Sequence, residues 1–154
     1  MPFPAILLAI SLIWADDLKG RAVKALESLQ GEWAAVSFEA NGEAVPVAQA
    51  GWKTVVKGSR VSVRFGLVSL DGNLVLDVGG KQPALDITKT TGQLHWPPVT
   101  EVDFAPGSLD IATIYKLEGK RLTVCFRFGT TRPSEFRTRT GVDTMILIFE
   151  RAKR

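Results

Sequence analysis

The chain is poor in the residues that most often carry chemistry. Its 154 residues include one cysteine, Cys125, and one histidine, His95. A single cysteine excludes an internal disulfide and any cysteine-based metal cluster. A single histidine excludes a His-x-x-x-His zinc pair. There is no Gly-x-Ser-x-Gly elbow, no phosphate-binding loop and no dinucleotide fingerprint. Cys125 as a nucleophile needs a base to form its thiolate, and His95 lies thirty residues earlier in an irregular stretch. Cys125 therefore reads as a small buried hydrophobe. Enzyme activity, a metal site and a cofactor are not expected.

Charge of either sign is also modest, with a net of +3. It is unevenly placed. From Gly119 to Arg154 nine Lys/Arg face three Asp/Glu, whereas the preceding residues carry ten against thirteen. A basic end attracts anions, yet Lys and Arg on exposed strand faces also keep sheet edges soluble. Asp71, Asp77, Asp86, Asp103 and Asp110 match a calcium site in number only, because their spacing lacks the alternate-oxygen loop. Turn and strand-end roles fit them better. Trp33, Trp52, Trp96 and the eight Phe read as core and barrel-end residues rather than a stacking platform, so no nucleic acid is expected.

What the chain does have is a hydrophobic start and a long β pattern. Ala5 to Ala15 is uncharged, as long as a signal-peptide core and too short to span a bilayer. Asp16-Asp17 ends it, and Ala15 is a small residue suited to cleavage. Against this, Met1 to Pro4 lacks a Lys or Arg, and Ile13 is bulky for its place before the cleavage point. The favoured reading is a signal peptide over residues 1–15 and one domain over residues 16–154. The protein would then be exported, periplasmic or extracellular, with no membrane span after cleavage. An uncleaved tether or a segment packed on the domain is the alternative. Hydrophobic residues at 45% and charged residues at 23% are ordinary globular composition, and the length fits one domain.

From Asp16 to Gln30 apolar residues recur at helical spacing, with Leu18, Ala22, Leu26 and Leu29 on one face. Asp16 or Asp17 can cap the start, and Gly31 supplies a left-handed stop. Gly20 weakens such a helix by about 1 kcal/mol relative to Ala, so a frayed first turn is expected. Beyond Gly31 the period drops to two. Strands are expected at Trp33–Glu39, Trp52–Lys57, Arg60–Phe65, Asn73–Val78, Ala84–Thr88, Ile111–Leu117, Arg121–Phe128 and Met145–Arg151. Asn41-Gly42, Gly58-Ser59, Asp71-Gly72 and Glu118-Gly119-Lys120 are the expected turns. Lys89–Gly107 is the least regular part, and Gly129–Gly141 is a polar, arginine-rich loop. About eight strands with short connections predict an all-β fold, and an up-and-down barrel leaves no open edge. Such a barrel is just wide enough to be filled by side chains or to hold one small ligand.

The segment from about Asp17 to Arg151 resembles a lipocalin-like domain family of unknown function expanded in Planctomycetes. The matching residues are Leu29-Gln30-Gly31-x-Trp33 with Val36 and Ser37, then Gly42 and Val45-Pro46. Later come Ile114-Tyr115-x-Leu117-x-Gly119-x-x-Leu122-x-x-Cys125-Phe126 and Arg132-Pro133-x-x-Phe136. Between Trp52 and Phe104 only the strand pattern matches. The resemblance implies a lipocalin-like barrel, commonly behind a signal peptide, and little chemistry. Gly31-x-Trp33 is also similar to the Gly-x-Trp signature of true lipocalins. There the tryptophan packs across the barrel floor against an arginine from the far end of the chain. Arg151 is the matching candidate here, and Arg127 the second.

Two functional readings follow. In the first, the barrel binds a small, mainly apolar molecule without catalysis, through Val61, Val63 and Phe65 or Leu122, Val124 and Phe126. In the second, the basic Arg127–Arg139 edge contacts an acidic protein or an envelope polymer. Arg132, Arg137 and Arg139 would supply forked anion contacts, although exposed hairpin arginines are common and Glu135 offsets part of their charge. Arg132-Pro133-x-x-Phe136 reads as a loop folding back on Phe136. His95-Trp96 is a candidate rim of a binding mouth, or simply a solvated loop.

Overall fold

In a computed structural model, residues 5–66, 68–94, 102–104 and 110–153 are described. A helix, α1 (Ala5–Leu29), precedes ten strands. These are β1 (Gly31–Ala40), β2 (Glu43–Pro46), β3 (Lys53–Lys57), β4 (Arg60–Phe65), β5 (Val68–Asp77), β6 (Ala84–Leu94), β7 (Val102–Phe104), β8 (Ile111–Glu118), β9 (Arg121–Phe128) and β10 (Met145–Arg151). Eight of them form one antiparallel circuit in the order β1-β3-β4-β5-β6-β8-β9-β10. The circuit closes where β10 pairs with β1, from Trp33 opposite Arg151 to Ala40 opposite Met145. β2 and β7 are side ribbons on β1 and β6. The fold is the lipocalin-like, up-and-down barrel, and closure removes the sheet edges that invite aggregation.

The period-two pattern becomes an inside and an outside. Val61, Val63 and Phe65 of β4, and Leu122, Val124, Phe126 and Phe128 of β9, face the interior. In β1 the register slips between Ala35 and Ser37. A bulge of this kind shifts the alternation by one residue, which is how Trp33 and Phe38 both come to face inward.

Three expectations need correction. Asp71-Gly72 is not a turn, because β5 runs unbroken through it, with Asp71 paired to Ser62 on one side and Thr91 on the other. A second bulge falls between Asp71 and Asn73. Gly72 is required there by close approach, since a Cβ would lie 2.5 Å from Ile87 Cγ2. The strand beginning at Ala84 extends to Leu94 rather than Thr88, held by pairing to β5 and β7. The helix does not start at Asp16. Ala5–Ala15 lacks glycine and proline and is rich in Ala, Leu and Ile, so the helix continues through it and Asp16 and Asp17 lie in its interior.

The outer wall of β8, β9 and β10 is covered as well. Ile114, Cys125 and Ile146 form a second, smaller core outside the barrel, with Phe136 packed against it. The 129–144 connection is thus folded back with Phe136 as its apolar anchor. Thr138 Oγ1 accepts from Gly42 N at 3.0 Å and donates to Glu39 at 2.5 Å, tying the connection to the β1–β2 turn.

Candidate functional site

One end of the barrel is closed by the helix-to-strand junction. Gly31, at φ +111°, turns the chain sharply from α1 into β1. Trp33 then enters the barrel and is fully buried, and its indole N–H donates to Leu29 O at 2.9 Å. Arg151, brought opposite by the β1–β10 register, lies over the Trp33 ring with its guanidinium carbon 4.2 Å from the centroid. The same guanidinium donates to Gln30 O at 2.6 Å and Ser28 O at 2.7 Å. These are carbonyls at the helix C-terminus, where cations are favoured. Gln30 completes the junction, its amide donating to Gly58 O at 2.9 Å and accepting from Gly58 N at 2.7 Å. Arg127, the second candidate for Trp33, instead pairs with Asp143 at 2.7 Å.

Above this floor the barrel is hollow. A cavity of about 500 Å³ lies within the wall, in the range of small-molecule pockets. All six interior residues expected from the sequence, Val61, Val63, Phe65, Leu122, Val124 and Phe126, line it. Leu70, Leu74, Leu147 and Phe149 line it too. Among the described residues none that lines it is charged, and Thr54, Thr113 and the two indoles are the only polar side chains there. At the end away from Trp33, Trp52 stacks between Phe38 and Phe65, with ring centroids 6.2 Å and 4.6 Å away. Phe128, half exposed and edge-on to Phe126, marks the rim. A cavity so lined holds water poorly and favours apolar contents.

The other expected groups do not converge on this cavity. Arg132 forms ion pairs with Asp86 at 2.5 Å and Asp77 at 3.8 Å, and Arg139 pairs with Glu135 at 2.8 Å. Arg132 and Arg139 are therefore already engaged by carboxylates, whereas among the described residues Arg137 forms no ion pair. Asp71 faces Arg64 at 3.1 Å and accepts from Ser62. Burial pushes its carboxyl up, but the Ser62 and Arg64 hydrogen bonds and the charges of Arg64 and Arg60 outweigh it and hold the pKa below the ordinary value. Cys125 is fully buried, and its thiol donates to Glu135 O at 3.4 Å. Burial raises its pKa, a backbone N–H bond from Arg137 opposes the rise, and Glu39 and Glu135 add to it. Among the described residues no group of His, Cys, Asp and Glu is placed to hold a metal ion. His95 and Trp96 lie outside the described residues.

The sequence marks Trp52 only as a core or barrel-end residue and Gln30 only within the family motif, and it does not mark Thr54. The alternation of Thr54 and Val56 offers a faint signal for Trp52 and Thr54, whereas the clamp of Gln30 on Gly58 is visible only in three dimensions. Among the described residues no helix is long and apolar enough to cross a membrane. No known protein family, curated protein or solved structure matches this chain.

Proposed function

We propose that this protein binds a small, mainly apolar molecule inside its barrel and performs no chemistry on it. The observation that carries the reading is a cavity of about 500 Å³ whose lining, among the described residues, includes no charged side chain. Transfer of apolar surface out of water supplies the affinity, at roughly 25 cal/mol per Å² buried. An ionised group deep in the cavity would find no countercharge, which disfavours charged ligands. The rigid floor built by Trp33 and Arg151 keeps the barrel closed at one end. A lipocalin-like barrel behind a signal peptide, which is what the sequence resemblance implies, fits these features.

Export is part of the same proposal, supported by the uncharged Ala5–Ala15 run and Asp16-Asp17 after it. Cleavage after Ala15 leaves Asp16–Leu29 to form the helix whose last turns dock on the barrel, with Leu29 buried and Leu26 packed against the core. Native mass spectrometry of protein purified from its own host tests both parts at once. The expected species lacks the first fifteen residues and carries a bound mass that is lost in organic solvent. Full-length, unliganded protein from the host would contradict the proposal. The alternative, a contact edge at Arg132, Arg137 and Arg139, has weaker support because Arg132 and Arg139 are ion-paired within the chain.

A further inference from the structure

A second recess lies outside the barrel interior, at the end that Trp33 closes. Neighbouring strands alternate in direction, so the connection from β5 to β6, residues 78–83, falls at the same end as the start of β1. The helix α1 passes beside it, since a Cβ on Gly79 would lie 3.6 Å from Leu18 Cδ2. Tyr115 of β8 is tied to the same connection, its backbone N–H donating to Pro83 O at 3.0 Å. Between these three elements opens a recess of about 380 Å³, and none of its lining residues lines the barrel cavity.

Its walls carry charge of one sign. Arg21 and Lys24 line it from α1, one helical turn apart and therefore on one face. Lys81 lines it from the facing connection. Among the described residues no acid lines the recess, and none of the three cations forms an ion pair. Asp77, at the end of β5, is held instead by the Gly79 N–H at 2.9 Å and by Arg132. Asp17 and Glu27 lie within four residues of a helix cation but pair with neither. The inner wall is Tyr115, only 5% exposed. Its hydroxyl makes no hydrogen bond with the described residues and is not sealed from solvent, and the recess is the open space that Tyr115 borders. Burial raises its pKa, which keeps the hydroxyl protonated and able to donate.

We infer that this recess binds a phosphate group, as the free ion or as the head of a small monoester. Arg21, Lys24 and Lys81 repel one another with no countercharge between them, and a dianion relieves that repulsion more fully than a monoanion. Tetrahedral oxygens point in several directions, so cations on opposite walls and the Tyr115 hydroxyl can each meet a different oxygen. A carboxylate offers two oxygens in one plane and a single charge. Arg21 can fork onto two phosphate oxygens, while the lysines act as point charges. Val78, Ala25 and Pro83 add apolar surface that suits the organic part of a monoester. The site does not depend on what the barrel holds, and cleavage after Ala15 would leave both helix cations in place.

Calorimetric titration at low ionic strength with inorganic phosphate, phenyl phosphate and benzoate tests the assignment. Both phosphates should bind wild type saturably at one per chain, and more weakly as salt rises. Arg21→Gln, Lys24→Gln and Lys81→Gln should each lower that affinity about 3- to 10-fold, and Tyr115→Phe about 3-fold, the range of one net hydrogen bond. Lys19→Gln removes the same charge from the same helix but outside the recess, and should leave binding unchanged. Tighter binding of phenyl phosphate than of inorganic phosphate would assign the monoester, and any other order the free ion. Absence of saturable phosphate binding, an equal loss in Lys19→Gln, or benzoate bound as tightly as phenyl phosphate would overturn the inference. The three cations are exposed, so their variants keep the fold and decide the matter even where Tyr115→Phe does not.

Discussion

Replacing Arg151 by Met removes the lid of the closed end while keeping most of its length. Three interactions vanish together: the stack on Trp33 at 4.2 Å and the bonds to Gln30 O at 2.6 Å and Ser28 O at 2.7 Å. A cation over an indole contributes about 0.5–2 kcal/mol depending on exposure. Hydrogen bonds to a charged donor contribute roughly 1.5–3 kcal/mol each when well buried. Ser28 is exposed and Arg151 only half-buried, so its bonds belong at or below the low end, and the three terms share one side chain and do not add. A net loss of about 2–4 kcal/mol follows. Urea unfolding should show a lower midpoint with an unchanged slope, and a thermal midpoint lower by roughly 5–15 °C for a domain of this size. Arg151→Lys should lie between, because it keeps the charge and loses the fork. A destabilisation below about 0.5 kcal/mol in Arg151→Met would refute the idea that this residue holds the floor.

Other positions give independent outcomes. Gly72→Ala places a Cβ 2.5 Å from Ile87 Cγ2 and 3.2 Å from Thr88 O, and should cost about 1–3 kcal/mol in chemical denaturation. Cys125, fully buried with its thiol pKa raised by burial, should resist a disulfide reagent in native protein and react only at the rate of unfolding; rapid labelling would show that its cover opens. Asp71 is held below its ordinary value of 3.8, so its contribution is complete above that pH and lost as pH falls through the lower folded value. Asp71→Asn should accordingly lose up to about 1 kcal/mol at neutral pH, the partly exposed pair being screened, and the deficit should close in stability measurements near pH 2.

How much of this was legible in the sequence depended on whether the signal was local. The strands at Arg60–Phe65, Arg121–Phe128 and Met145–Arg151 have the bounds expected, because an alternation of apolar and polar residues states both the element and its inward face. The cavity-lining rows of β4 and β9 follow from the same alternation once the sheet closes. Asp71-Gly72 misled because its composition is that of a turn, whereas the glycine answers a tertiary demand, the approach of β6 at Ile87. The outer core of Ile114, Cys125 and Ile146 was legible only in part: Cys125 reads as buried and Phe136 as an anchor, but the face they share does not. Cys125 alternates with Thr123 and Arg127, a pattern that reads as a solvent face until the 129–144 connection covers it. Hollowness was not legible at all, since volume depends on how far opposing walls stand apart. The recess beside α1 needed coordinates as well, because its cations and Tyr115 come from separate elements.

The barrel's role as a container can be measured directly by titrating purified protein with N-phenyl-1-naphthylamine and following its fluorescence, in wild type and in Val63→Trp. Val63 lines the cavity, and an indole there occupies space within the roughly 500 Å³ that a ligand would need. Wild type should bind saturably at one dye per chain, and Val63→Trp should retain its fold by circular dichroism while losing most of that binding. Unsaturable binding, or equal one-to-one binding in folded Val63→Trp, would place the dye outside the barrel and contradict the proposed function.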